Sequence, residues 1–348
     1  MVDVVAVISG CRVCDRKQQM AAMIAVLVSL CCCDNNVMAQ LDSDGWELVR
    51  SRRIWNQGRH NAFTDLVRFK NQWVCVFREG AAHVSPDGSL RVIVSEDAKE
   101  WKSAALITMA DHDLRDAKIS VTPKGELMLV GAGAKNGRDP YHHQTFAWFS
   151  ADGRKWSKAH PIGDRNSWLW RVTWNKKMAY GFGYETSGEG HELRFFQSSD
   201  GRTFKRIIDN AFPKGYPNET QIVFTPDQKA ICLLRRDASD PTAQLGTASP
   251  PYTQWKWQDL GVRVGGPSLM RLNDGRLMAI VRLYDGGART SLCEIDATGP
   301  KLIERLRFPS GGDTSYAGMV WQNDLLWVSY YSSHEGRTMI YFAQVRQK

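Results

Sequence analysis

The chain has 348 residues, 43% of them hydrophobic and 24% charged, with a formal net charge of +8. That is a soluble globular composition, which excludes a disordered or fibrous chain. The basic side chains are dispersed rather than gathered in a run, which argues against nucleic acid and leaves an acidic glycan or an anionic surface as partner.

The first 39 residues stand apart. Residues 21–33, AAMIAVLVSLCCC, are uncharged and apolar, follow Arg16 and Lys17, and precede the small residue Ala39. This pattern predicts a secretory signal peptide over residues 1–39, hence a secreted or periplasmic protein. The run falls short of the ~20 residues a spanning helix needs, so no stable membrane insertion is expected. A lipoprotein, lipidated at one of Cys31, Cys32 or Cys33, is the weaker alternative, because the residue before each is bulky or itself a cysteine. The rest of the chain keeps Cys75, Cys232 and Cys293, an odd number in strand-like surroundings, which predicts buried free thiols.

From residue 40 to 348 one unit recurs: two short runs of β-branched and aromatic residues around a polar turn. In chain order these are DLVRFKNQWVCVFREG, KISVTPKGELMLVGAG, RVTWNKKMAYGFGY, PNETQIVFTPDQKAICLLRRD, SLMRLNDGRLMAIVRLY and AGMVWQNDLLWVSYY. Aligned by eye, the second runs end at Arg78, Gly131, Gly183, Arg235, Arg282 and Tyr330, 47 to 53 residues apart. A hairpin cannot bury both faces alone, whereas a ring of four-stranded sheets can. The expectation is an all-β fold, a six-bladed β-propeller, filling residues 40–348 as one domain. A second pattern runs in phase with the first. SEDAKEW, SADGRKW and SSDGRTF share Ser-x-Asp and a later aromatic, and SPPYTQWKW reads as a decayed fourth copy. Ser and Asp suit a turn because their oxygens accept backbone N–H bonds. These motifs are structural.

Those Asp-box (BNR) motifs on a six-fold strand period resemble the sialidases (neuraminidases). The likeness is sharpest in PNETQIVFTPDQKAICLLRRD and SYAGMVWQNDLLWVSYY. It implies that Glu219 takes the place of the family's catalytic glutamate, Arg235 that of a carboxylate-binding arginine and Tyr316 that of the nucleophilic tyrosine. The family's first arginine has no counterpart in HNAFTDL, where Arg59 and Arg78 are nearby substitutes. The third is open between Arg282 and Arg289, and the proton-donating aspartate between Asp65 and Asp87.

The propeller itself gathers a site. Inner-strand starts at Asp65, Asp116, Arg171, Glu219, Pro267 and Tyr316, with second-strand ends at Arg78, Glu79, Arg235, Arg236 and Arg282, converge on one funnel. Arginine forks suit a carboxylate or sulfate, and a narrow funnel shifts the pKa of neighbouring carboxyls. Trp170 in WLWR offers a stacking face for a sugar, and His83 in FREGAAHV is a further candidate acid or ligand. For Glu219 with Arg235 the bland reading is an interblade salt bridge, and for Tyr316 a packed aromatic. His142-His143 and His334-Glu335 lack a third ligand at a recognisable spacing, so no metal and no other cofactor is expected. The function expected is a monomeric, exported, sialidase-like glycoside hydrolase acting on a terminal acidic sugar. Two alternatives stand beside it: a propeller that binds glycans without cleaving them, and a hydrolase of other specificity that recruits Arg78, Asp116 and Glu79.

Overall fold

The computed structural model describes residues 45–137, 142–187 and 192–348. The expected leader, residues 1–39, lies outside them. Among the described residues no helix is long and apolar enough to cross a membrane.

The chain forms a six-bladed β-propeller. It opens with β1 (Trp46–Trp55), which belongs to the last blade. Blade one follows as β2 (His60–Phe69), β3 (Gln72–Gly80), β4 (Ser89–Ser95) and β5 (Lys102–Ile107). Blade two is β6 (His112–Val121), β7 (Leu127–Lys135), β8 (His143–Ser150) and β9 (His160–Ile162). Blade three splits its inner strand into β10 (Ser167–Leu169) and β11 (Thr173–Asn175), followed by β12 (Met178–Glu185), β13 (Leu193–Ser198) and β14 (Lys205–Ile208). Blade four is β15 (Pro217–Phe224), β16 (Ala230–Arg236), β17 (Thr242–Ala248) and β18 (Lys256–Arg263). Blade five is β19 (Gly265–Arg271), β20 (Leu277–Leu283), β21 (Arg289–Asp296) and β22 (Lys301–Arg307). Blade six is β23 (Thr314–Gln322), β24 (Leu325–Ser332), β25 (Met339–Gln347) and, outermost, β1.

Sequence sets position within each blade. Second strands such as WVCVF in β3 and LMAIV in β20 are apolar on both faces and fully buried between blades. Outer strands such as KWQDLGVR in β18 carry charge, and most of their residues are exposed, which blunts the free edge. Cys75, Cys232 and Cys293 are free and buried, as expected, and burial pushes their thiols up.

The Ser-x-Asp turns follow the third strand of blades one to three. In each, one aspartate oxygen accepts two backbone N–H bonds: Asp97 from Lys99 and Glu100, Asp152 from Arg154 and Lys155, Asp200 from Arg202 and Thr203. The corner of blade four keeps the shape without the aspartate. Tyr252 there has φ +65°, like Gly153 at +77°. Trp255 donates its indole N–H to the Tyr252 carbonyl at 3.1 Å, as Trp156 does to Gly153.

The inner strands share one irregularity. Each of β2, β6, β15, β19 and β23 slips register near its start, where two inner residues face one on the second strand. Phe63, Asp116, Gly266 and Tyr316 occupy that point with φ between +52° and +60°. A bulge of this kind bends the strand and re-aims a side chain, here toward the axis. It also corrects the alignment by eye. Arg78 pairs with Ala62, Arg236 with Pro217 and Arg282 with Gly265. The true equivalent of Arg78 and Arg282 is therefore Arg236, and Arg235 sits one step earlier, opposite the bulge.

Ring closure rests on β1 against β25, where Trp46 faces Gln347. Trp46 is 1% exposed and meets Trp321 edge-on at 6.2 Å. Trp46→Ala is expected to cost about 3–5 kcal/mol, the range for a truncated core aromatic. Urea unfolding followed by tryptophan fluorescence measures it.

Candidate functional site

The bulges bring three blades onto one carboxylate. Glu219 on β15 accepts from the Tyr316 hydroxyl at 2.6 Å and from Arg235 Nη1 at 2.7 Å, both at Oε1. Its Oε2 accepts the backbone N–H of Gly266 at 2.9 Å. Arg235 Nη1 also donates to the Tyr316 hydroxyl at 2.9 Å, and its other nitrogens reach Asp237. Three donors hold Glu219 as a charge acceptor. Burial raises the Tyr316 phenol well above its ordinary range and Glu219 adds to this, against Arg235 and Arg282. Burial alone would lower the Arg235 guanidinium, but Glu219 and Tyr316 outweigh it and keep the charge fixed.

Around the Tyr316 ring stand Phe63 at 4.9 Å and Trp170 at 5.7 Å. Arg282 lies 5.4 Å from the ring centroid and is bonded to Asp313, the Tyr331 hydroxyl and the Thr314 carbonyl. Three of the left-handed residues, Phe63, Asp116 and Tyr316, are bulky or charged L-residues for which this conformation is uncommon. Backbone strain of this kind clusters where function demands a direction.

Asp116 is 7% exposed and has no hydrogen-bond partner among the described residues. Burial raises its carboxyl to about 7, with Glu219 adding and Lys118 opposing. Lys118, two residues on, is 2% exposed, with its ammonium over the Trp170 and Tyr316 rings at 4.8 and 5.7 Å. Burial and Arg171 lower it to about 8, against Asp65, Asp116 and Glu219. A protonated carboxyl near neutral pH, beside a nucleophile-like Tyr–Glu pair, can donate a proton.

The other expected residues fall into two groups. Tyr316, Glu219, Arg235, Asp116, Arg282 and Trp170 meet around the bulges. His83 lies at the rim, bonded to Asp313. Arg171 and Asp65 pair at 3.2 Å, and the second Asp65 oxygen accepts the Ile119 N–H at 2.8 Å. Asp65 is one step past the bulge, with both oxygens engaged, so it ties blades one, two and three and is not placed to give up a proton. Arg78 is fully buried and spends its nitrogens on Asp113, Ser85 and the Ala82 carbonyl, so no ligand reaches it. Glu79 pairs with Arg91 across β3 and β4 at 2.8 Å. Arg289 is held by Glu304 on the outer strand and by Asp285. Of Arg282 and Arg289, Arg282 is the one beside Tyr316. Past the bulges an axial cavity of about 270 Å³ touches all six inner strands, through Asp65, Ile119, Thr173, Gln221, Ser268 and Met319.

Sequence reasoning missed Lys118, His60 and Asp313. Lys118 stood two positions after a named candidate and Asp313 three before another. Their strand phase was the available signal.

No family model matches the chain, and no curated protein matches it by sequence. Solved structures do match in fold. A Dyadobacter fermentans protein of unknown function superposes with TM-score 0.77 at 17% identity, covering 88% of this chain and 100% of that one. A Penicillium chrysogenum α-L-arabinanase complexed with arabinobiose gives 0.67 at 14%, covering 86% and 98%. A Trypanosoma rangeli sialidase gives 0.64 at 12%, covering 82% of this chain and 55% of that one. At these identities the likeness is one of fold.

Two tests follow from the geometry. An Asp116 carboxyl raised to about 7 stabilises the fold while protonated. That contribution is complete below pH about 4, its unfolded value, and is lost as pH rises through about 7. Asp116→Asn is expected to gain stability relative to wild type between pH 4 and 8, on the order of 2–4 kcal/mol; thermal melts across that range read it. Gly266→Ala would place a Cβ 2.6 Å from the Tyr316 ring at φ +55°. It is expected to push the ring off Glu219 and cost about 1–3 kcal/mol, seen as lowered thermal stability and altered tyrosine absorbance.

Proposed function

We propose that the chain is an exported glycoside hydrolase that releases a terminal acidic sugar from a glycan. The observation that carries this is the Tyr316 hydroxyl held 2.6 Å from Glu219 and 2.9 Å from Arg235. Most glycosidases use two carboxyls; a tyrosine nucleophile is the sialidase exception, suited to a substrate whose own charge repels a carboxylate. Support also comes from the fold neighbours, which include a sialidase and an arabinanase.

In this reading Glu219 takes the phenolic proton as the Tyr316 oxygen attacks the anomeric carbon. A raised phenol needs such a base, because little phenolate is present at neutral pH. Asp116, protonated below about pH 7, gives its proton to the leaving oxygen. It then accepts one from the water that frees the sugar, while Glu219 returns its proton to the departing Tyr316 oxygen, which restores all three groups. Arg235 and Arg282 flank the phenol and counter negative charge there. Trp170, 1% exposed, backs the Tyr316 ring and is closed to a stacked sugar.

One observation favours a second reading, a neutral terminal sugar. Arg235, Arg282 and Arg171 each already face a carboxylate of the chain: Glu219 and Asp237, Asp313, and Asp65. A sugar carboxylate would have to displace those partners.

Aryl glycosides separate the readings. Release of methylumbelliferone from an α-sialoside supports the first, and from an α-arabinofuranoside the second. In either case Tyr316→Phe is expected to lower kcat by about 10²–10⁴-fold, and kcat/KM to fall above pH about 7 as Asp116 ionises. Asp116→Asn is expected to impair natural glycans more than aryl glycosides, whose leaving groups need no proton. Turnover that survives Tyr316→Phe would remove the tyrosine mechanism, and glycan binding without turnover would leave a lectin-like propeller.

A further inference from the structure

We propose that His60, His83 and Asp313 form a binding site for a divalent transition-metal ion of the zinc class, at the funnel rim where blade six meets blade one. His60 begins β2, His83 lies in the loop after β3, and Asp313 immediately precedes β23. Far apart in sequence, they converge through ring closure. Asp313 Oδ2 lies 3.0 Å from His60 Nε2 and 2.8 Å from His83 Nδ1, and the three atoms are all within 4.8 Å of one another. Zinc binds imidazole and carboxylate at about 2.0–2.2 Å. Donor atoms around such an ion stand about 3.3 Å apart, so small side-chain shifts suffice. Without metal, the two ring N–H groups donate to the carboxylate oxygen. An ion takes the place of those protons.

The surroundings orient the carboxylate ligand as a metal centre requires. The other Asp313 oxygen accepts from the Tyr331 hydroxyl at 2.7 Å and from Arg282 at 3.3 Å, leaving Oδ2 to face the histidines alone. The Asp313 backbone N–H is fixed on Ser333 at 2.9 Å. Asp313 holds the His60 proton on Nε2 in the metal-free state; an ion at Nε2 moves it to Nδ1, which is buried without a hydrogen-bond partner among the described residues, a cost that metal binding must exceed. The His60 and His83 rings meet edge-on at 5.4 Å, and Phe63 packs against both. Two imidazoles and one carboxylate select borderline ions such as zinc over magnesium or calcium, which prefer all-oxygen shells. Three protein ligands leave a coordination position open. His83 is 54% exposed on its side chain, so that position faces solvent at the rim, where a sugar oxygen can enter. Arg282 links Asp313 to the Tyr316 ring, so an ion here sits one residue removed from the candidate catalytic pair.

The site is independent of whether the chain hydrolyses anything, and metal binding tests it directly. Zinc titration of the purified full chain by calorimetry, with magnesium as control, is compared with His83→Ala and Asp313→Asn. Wild type is expected to bind one zinc ion more than either variant, at micromolar affinity or tighter, with a raised melting temperature that magnesium does not reproduce. Cobalt in place of zinc should give visible bands without thiolate charge transfer, which separates this site from the cysteines. His83 is exposed, so His83→Ala folds normally. Equal zinc uptake by wild type and His83→Ala, or cobalt bands unchanged by that substitution, overturns the proposal.

Discussion

The arrangement depends on one buried carboxylate. Glu219 accepts from Arg235 of its own blade, from the Gly266 amide of the next and from the Tyr316 hydroxyl of the one after. The Gly266 amide and the Tyr316 hydroxyl are buried and Arg235 is half-buried, and each would be costly to leave unpaired. The carboxylate therefore does two things with the same bonds: it registers blades four, five and six against one another, and it fixes the phenol in one orientation. A salt bridge that closes the ring and a base that waits for a proton are compatible descriptions of a single residue here. Gly266 shows how tightly the pieces fit, since no side chain can stand between its Cα and the Tyr316 ring.

Asp116 and Lys118 make the opposite use of burial. Two positions apart on one inner strand, they are both driven toward neutrality by desolvation, the acid to about 7 and the amine to about 8. Each moderates the other, so neither is pushed to the extreme that isolation would give. The outcome is a pocket whose proton inventory changes near neutral pH, while the neighbouring arginines keep their charge.

Much of this was legible in the chain. The six hairpins show because apolar runs of strand length alternate with polar turns, and the Ser-x-Asp corners show because their hydrogen bonds are local. Tyr316, Glu219 and Arg235 were readable together for the same reason: each sits at a fixed offset from a recognisable hairpin. What stayed hidden was the inner-strand bulge. Hidden with it was the pairing across each hairpin, whose turns differ in length, so Arg78 aligns with Arg235 on paper and with Arg236 in space. That slip separates a fully buried structural arginine from one that touches the phenol. Likewise Asp65 reads as an inner-strand start, yet lies a step beyond the bulge, where the Arg171 guanidinium and the Ile119 amide claim both its oxygens. The rim histidines were hidden differently. His60 and Asp313 are separated by nearly the whole ring, and their nearness exists only once it closes.

That closure has a kinetic consequence. Among the described strands, β1 comes first along the chain and pairs only with β25, Trp46 opposite Gln347. Until β25 is made, β1 lacks that partner, and the outer edge of β25 then stays bare until the two meet. Such long-range pairing makes the final step slow. During that wait the β25 edge is an unpaired template, and the charged, exposed face of β1 that covers it is what ends the exposure.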